Sequence, residues 1–245
     1  MALSEQKQIG ELHALIQQQG FCFAAGSQMR GWLAGPEAIR DWAAFADSWN
    51  GMPLDLYMAD GGRYRRRRYA TFSAIAGIPG IRLEPHQPHY QSLDYNPLNG
   101  GIAREFEPIP GDITTGATLT SVLSFCHEVF SGLQPQAHWH IECHQFRIEA
   151  HQGESGKPTP EGVHRDGVDY VLVMMVRRVN ISSGTTTMHG LDRALLGSFT
   201  LEQPLDSAIV DDRRCLHGVT PVEQIVADQP AYRDVLVVTF RNIAG

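Results

Sequence analysis

A chain of 245 residues with 42% hydrophobic and 19% charged residues can bury a substantial core, and its composition excludes a disordered or fibrous protein. The formal charge of −7 repels polyanions, which argues against nucleic acid or an anionic membrane as a main partner. Cys22, Cys126, Cys143 and Cys215 lie far apart and form no C-x-x-C pair, so neither a zinc ribbon nor a redox dithiol is expected.

The opening residues lack the basic-then-apolar layout of a leader, and no run of eighteen apolar residues follows. A soluble cytoplasmic protein is expected, built as one domain over residues 1–245, helix-rich to about 135 and completed as a barrel from about 136. The spacing of Ile9, Leu12, Leu15 and Ile16 predicts an amphipathic helix from Ser4 to Gln19, stopped by Gly20. A short strand over Gly20–Ala24 comes next. Pro36 suits the first turn of a second helix with a buried stripe of Ile39, Trp42, Ala43, Phe45, Ala46 and Trp49, ended by Asn50-Gly51.

The dense basic run Arg63-Tyr64-Arg65-Arg66-Arg67-Arg68-Tyr69 reads as a strand with two faces. Tyr64, Arg66 and Arg68 share one face, while Arg65, Arg67 and Tyr69 share the other. The Tyr64, Arg66 and Arg68 face is the candidate for holding a substrate carboxylate. A salt-bridged edge strand that discourages aggregation is the plainer alternative. Residues 91–101 read as a loop, and 104–109 as a short strand. A third helix is expected from Gly116 to Phe130, with Leu119, Val122, Leu123, Cys126, Val129 and Phe130 inward.

The strand expected over Trp139–Glu149 sets His140, Glu142 and His144 on one face. Three such positions span about 13 Å, so His140 and His144 cannot both reach one metal from a regular strand. His144 is therefore expected as a wall or hydrogen-bonding residue of a cofactor pocket, and His140 as a surface residue. A turn-rich stretch from Gln152 to Pro160 is either a connector or a lid. Later come a hairpin over Asn180–His189, a strand over Leu201–Val210, and a turn at Asp211–Arg214.

The chemistry concentrates in Pro160-Glu161-Gly162-Val163-His164-Arg165-Asp166-Gly167, at the mouth of an apolar run. In an extended strand His164 and Asp166 point the same way and present an imidazole nitrogen beside a carboxylate oxygen. These are two of the three ligands of a two-histidine, one-carboxylate site for non-haem Fe(II). His217, about fifty residues on in Cys215-Leu216-His217-Gly218-Val219-Thr220-Pro221, is the candidate third ligand. Three protein ligands leave half the coordination sphere open for an anionic chelator such as 2-oxoglutarate and for O2. The far carboxylate of that co-substrate needs a cation, best met by the planar fork of an arginine. Arg233, which opens the last apolar strand, is the first candidate, and Arg241 on the same face is the second.

Together, the Pro160–Gly167 run, His217, and the Tyr64-Arg65-Arg66-Arg67-Arg68 and His144-Gln145-Phe146-Arg147 segments resemble the bacterial 2-oxoglutarate/Fe(II) dioxygenase family that contains L-isoleucine dioxygenase. The resemblance covers most of the chain. It implies a mainly β fold with a double-stranded β-helix core, jelly-roll or cupin-like, and helices outside. It further implies Fe(II), 2-oxoglutarate and O2 as cofactors. The reaction implied is hydroxylation of a small-molecule substrate, a free aliphatic or sulfur-containing L-amino acid, with release of succinate and CO2. By the same resemblance His164, Asp166 and His217 are the catalytic metal ligands, and Arg233 the co-substrate arginine. Two alternatives stand beside it: a metal-binding cupin-like isomerase or hydrolase, which needs no buried arginine, and a non-catalytic binding barrel, in which the three ligands do not converge.

Overall fold

A computed structural model describes residues 3–33, 35–96 and 98–244. Its first half carries helices α1 (Leu3–Gln19), α2 (Gly26–Trp32), α3 (Trp42–Asp47), α4 (Gly111–Thr114) and α5 (Ala117–Leu133), with a 3-10 turn at Pro36–Ile39. Between them run strands β1 (Phe21–Ala24), β2 (Arg65–Ile75), β3 (Arg82–Leu83), β4 (His89–Tyr90) and β5 (Ala103–Arg104). The second half is almost all strand: β6 (His138–Glu149), β7 (Tyr170–Val179), β8 (Ile181–Ser183), β9 (Thr185–Gly190), β10 (Leu195–Thr200), β11 (Ser207–Asp211), β12 (Cys215–Val219), β13 (Val222–Gln224) and β14 (Tyr232–Asn242).

Seven strands form an antiparallel sheet in the order β1-β11-β7-β14-β6-β2-β3, and a smaller sheet runs β10-β9-β12 with a β13-β8 ribbon nearby. The strand β14 has apolar residues at successive positions because both its faces are covered. Leu236, Val238 and Phe240 pack with Trp139, Ile141, Cys143 and the buried side of α5. On the opposite face, Val235 and Val237 meet Met175, Phe199 and Leu201, which brings the smaller sheet over the larger one. Val171, Met188, Val210 and Cys215 close the same gap further along. This is the helix-flanked jelly-roll arrangement that the residue patterns predict.

The helix side is held by aromatic packing. Phe130 of α5 stacks on Tyr170 with centroids 4.8 Å apart and meets Phe240 edge-on at 5.0 Å. Each such ring buries area worth about 1.5–3 kcal/mol, and a well-placed pair adds about 0.5–1.5 kcal/mol. All six residues expected to face inward on the third helix are buried. The residue just before that helix, Gly116, has no side chain to cap it. Asp41 supplies the cap from a distant turn: its Oδ1 accepts the Thr118 backbone N–H at 2.8 Å and the Thr118 hydroxyl.

Several expectations change. The segment from Pro36 is broken into a 3-10 turn and the short α3, because the chain turns at Arg40-Asp41 and sends Asp41 to α5. Ala43 is exposed as a result. Leu15 is 38% exposed, off the buried stripe formed by Leu12 and Ile16. The strand expected over 201–210 is divided: β10 ends at Thr200, and Asp206 holds an intervening turn by accepting the N–H groups of Glu202 and Gln203, each at 2.9 Å. The strand carrying the metal motif starts only at Tyr170, so His164 and Asp166 stand on the approach to β7.

Candidate active site

Without a strand around it, the His164 motif needs another source of order, and the backbone supplies it. His164 and His217 exchange both N–H···O bonds, each 2.9 Å, as an isolated antiparallel bridge. Directly opposed residues bring their side chains together, and the two imidazole centroids lie 4.6 Å apart. Asp212, buried, gathers the next turn: its Oδ1 accepts the Asp166 N–H at 3.0 Å, and Oδ2 accepts those of Gly167 and Val168 at 2.8 and 3.1 Å. Gly167 has φ +81° and lies against the Tyr95 ring, where a Cβ would come within 2.3 Å. Gln91 donates to the Asp166 carbonyl at 3.0 Å.

These constraints bring three ligand groups to one point. His164 Nε2 is 3.5 Å from Asp166 Oδ1, and His217 Nε2 is 3.8 Å from Asp166 Oδ2. Their ligand atoms all fall within 4.8 Å of one another. His164 Nδ1 donates to the Gly162 carbonyl at 3.0 Å, which in the neutral ring leaves the Nε2 lone pair turned toward Asp166, as a metal ligand requires. Glu161, a carboxylate absent from the expected set, approaches His164 Nε2 at 3.3 Å. Burial would depress the His164 pKa, but the hydrogen bond and charge of Asp166, with Glu161, push it up to about 9. Burial, and then the charge of His164, lower His217 to about 4. Two imidazoles and a carboxylate drawn this close fit a divalent iron in donor type and number, with the metal taking the place of the shared proton.

The three ligands line a cavity of about 350 Å³ between the sheets, within the range of small-molecule sites. Arg233, Val235, Val237, Thr239 and Arg241, alternate residues of β14, form one wall. Arg233 is buried, and its Nε and Nη1 find no hydrogen-bond partner among the described residues. Burial, with repulsion from Arg178, lowers its pKa to about 10, so it remains cationic at neutral pH. A buried unpaired guanidinium fits the distal carboxylate of 2-oxoglutarate. Arg241 also reaches the cavity but is exposed.

The basic strand turns its other face inward. Arg66 donates to Glu149 Oε1 at 2.8 Å and to the Met52 carbonyl at 3.0 Å, and Arg68 donates to the Ser48 carbonyl at 2.8 Å. Tyr64 is buried beside Ile148 and gives its hydroxyl hydrogen to Asp60 at 2.7 Å. None of these three lines the cavity, which corrects the expected carboxylate-binding face. The register places Arg65, Arg67 and Tyr69 opposite Ile148, Phe146 and His144 of β6, on the cavity side. Arg65 is paired there with Asp55 at 2.7 Å. Arg67 lies 4.1 Å above the Phe106 ring, and its Nη2 is 2.9 Å from His144 Nδ1.

His144 lies on the wall as expected, but His140 is half-buried beside Glu142 at 3.4 Å and is not a surface residue. Glu142 also accepts from the Tyr69 hydroxyl at 2.7 Å and lies 3.3 Å from His89 and 3.5 Å from His144. The sequence set Glu142 on the right face and Arg104 at the start of a strand expected over 104–109, which is shortened to Ala103–Arg104, but it did not mark Arg104 as buried and offered no sign of His89. Both come from β4 and β5, two-residue strands with no readable period.

Comparison with known proteins matches residues 46–239 to the family described as 2OG-Fe dioxygenase. The chain is 28% identical over 159 residues to 3(1)-hydroxy-L-isoleucine 4-dioxygenase of Pantoea ananatis, a match that spans 63% of this chain and 64% of that protein. It is 24% identical over 194 residues to L-isoleucine-4-hydroxylase of Bacillus thuringiensis, covering 76% of this chain and 80% of the other. Among solved structures, a bsmA homolog from Methylobium petroleophilum PM1 superposes with TM-score 0.86 at 32% identity, over 96% of this chain and 93% of that one. IDO from Bacillus thuringiensis gives TM-score 0.80 at 19% identity over 96% and 99%, a likeness of fold. The fold is thus the double-stranded β-helix of these dioxygenases, and family membership implies Fe(II), 2-oxoglutarate and O2 as cofactors. With the family's match covering most of its length and a ferrous-type ligand set lining its cavity, the chain belongs to the 2OG-Fe dioxygenase family.

Proposed function

We propose that the protein hydroxylates a free L-amino acid with an aliphatic or sulfur-containing side chain, using Fe(II), 2-oxoglutarate and O2. One observation carries this reading: His164, Asp166 and His217 converge on the wall of a cavity that is also lined by Arg233, whose Nε and Nη1 are unpartnered among the described residues. A cupin-like isomerase or hydrolase has no use for that arginine. The relatives named for isoleucine support an amino-acid substrate.

His164, Asp166 and His217 hold the iron, and Arg233 binds the C5 carboxylate of 2-oxoglutarate. When bound, these cofactors supply the oxidation: 2-oxoglutarate loses CO2 to give succinate, one atom of O2 enters that succinate, and the other enters a substrate C–H bond. The protein orients and excludes water. Phe146, Val173, Val219, Val235 and Val237 line the space beside the ligands and give it an apolar wall suited to an aliphatic chain. Asp212 and the His164–His217 bridge fix the ligand atoms before any metal arrives, which lowers the ordering cost of binding. Four buried free cysteines suit a reducing compartment such as the cytoplasm, and no helix among the described residues is long and apolar enough to cross a membrane.

Incubation with Fe(II), ascorbate and 2-oxoglutarate across the twenty amino acids tests the reading. Succinate is expected with at least one aliphatic or sulfur-containing amino acid and a hydroxylated product of that amino acid. Asp166→Ala and His217→Ala should abolish both. Equal turnover in either variant, or no amino acid above the blank, refutes the proposal.

A further inference from the structure

The cavity holds a second buried cation that the iron and the co-substrate leave unused. Arg104 is 1% exposed, yet its Nε and Nη2 meet no hydrogen-bond partner among the described residues. Arg67 beside it is 4% exposed, and its Nε is likewise unpartnered. Both guanidiniums flank the Phe106 ring, at 4.1 Å for Arg67 and 5.9 Å for Arg104. The nearby carboxylate of Asp55 is already paired with Arg65 at 2.7 Å. A buried guanidinium without a counter-charge is destabilising unless something pairs with it. These residues line the same cavity as the iron ligands; Glu142 and Glu161 act on Arg104 through their charge, but no carboxylate among the described residues accepts a hydrogen bond from these orphaned nitrogens, which leaves them free for an anionic ligand.

Beside these cations stands a half-buried anion. Glu142 lines the cavity and is ringed by His89, His140, His144 and the Tyr69 hydroxyl. Burial would raise its pKa, but the imidazoles of His140, His144 and His89 around it hold it well below the usual carboxylate range. His89 links the two signs: it is the β-bridge partner of Arg104, and its Nδ1 lies 3.3 Å from Glu142 Oε2.

His89, Glu142 and His144 also have the composition of a second metal site. Arg67 argues against that use. Its N–H donates to His144 Nδ1, which puts the imidazole hydrogen on Nε2 toward Glu142 and leaves no nitrogen lone pair for a metal.

A free α-amino acid carries a carboxylate and an ammonium on one carbon, and a site for it must present both signs side by side. We propose that Arg104, with Arg67, binds the α-carboxylate of the amino-acid substrate, and that Glu142 binds its α-ammonium. This deepens the amino-acid hydroxylase reading and rests on it. The side chain is then directed away from the charged cluster, toward the apolar wall and the iron ligands. Two arginine stations divide the labour in one cavity: Arg233 takes the co-substrate and Arg104 the substrate.

Equilibrium binding to the Fe(II)- and 2-oxoglutarate-loaded protein without oxygen tests this. The probes are L-isoleucine, L-leucine and L-methionine, each also as its carboxamide and its N-acetyl derivative. Wild type should bind at least one of the three amino acids, and at least tenfold more tightly than either of its derivatives. Arg104→Met should weaken that amino acid at least tenfold while leaving its carboxamide within threefold, so that the preference for a free carboxylate disappears. Glu142→Gln should do the same for the preference over the N-acetyl form. Variants that weaken all three forms of the ligand by one common factor, or that keep both preferences, overturn the assignment while leaving the hydroxylase reading intact. If wild type binds none of the three amino acids, the assignment falls, and the turnover screen across the twenty amino acids decides the hydroxylase reading separately. A second equivalent of Fe(II) per chain that is lost in Glu142→Gln also overturns it, in favour of a metal.

Discussion

Arg233 illustrates how a single side chain separates readings that the metal ligands alone leave joined. A guanidinium buried without a partner carries a desolvation cost that a bound carboxylate removes. Truncating one member of such a pair costs about 2–5 kcal/mol. Arg233→Ala should therefore raise the 2-oxoglutarate concentration for half-maximal succinate formation on the order of 100-fold, and steady-state kinetics against 2-oxoglutarate measures this directly. An unchanged requirement would move the role to exposed Arg241. The convergence of His164, Asp166 and His217 was legible because a histidine and an aspartate two apart, a later histidine and a strand-leading arginine form an ordered combination. The parity of the basic strand was legible too, but not which parity faces inward. That depends on Asp55 drawing Arg65 inward, while Glu149 and the carbonyls of Met52 and Ser48 satisfy Arg66 and Arg68 outside. His89 and the burial of Arg104 left no trace, since each needs a partner strand of only two residues to place it.

At the level of elements, the long patterned segments behaved as their periods predict, and the short ones followed tertiary demands. The stripe Leu119, Val122, Leu123, Cys126, Val129 and Phe130 gives α5 at helical spacing, whereas the Pro36–Trp49 pattern breaks where Asp41 is drawn away to cap α5. Such a cap is invisible to local reading because donor and acceptor are 77 residues apart. Asp41→Ala should destabilise the protein by about 1 kcal/mol, read as a lower midpoint in urea unfolding at pH 7. Burial opposes the charged form of Asp41, but the hydrogen bonds from Thr118 lower its pKa below the ordinary carboxylate value. The stabilisation is therefore full above the unfolded pKa of about 4 and disappears as the pH falls through the lower folded value. The difference between wild type and Asp41→Asn should accordingly shrink as unfolding is measured at progressively lower pH below 4. A constant difference would mean that the charge plays no part in the cap.

Across the whole molecule, the site joins two layers. His164 and Asp166 precede β7 of the larger sheet, and His217 sits on β12 of the smaller one, so a metal held by all three ties the sheets together. The N-terminal part is not a separate appendage to this arrangement, because β1 and β2 belong to the same seven-stranded sheet as β7 and β14. Metal bound only by the folded state adds stability by mass action, about 2.7 kcal/mol at a concentration one hundred times the dissociation constant. Titrating metal-free protein with Fe(II) under nitrogen, with bound metal and melting temperature followed together, is the most direct test of the convergence on which the chemistry depends. Binding should saturate at one Fe(II) per chain with a rise in melting temperature, and both effects should vanish in His164→Ala, Asp166→Ala and His217→Ala. The same saturation and the same rise in any of those three variants would contradict a shared site.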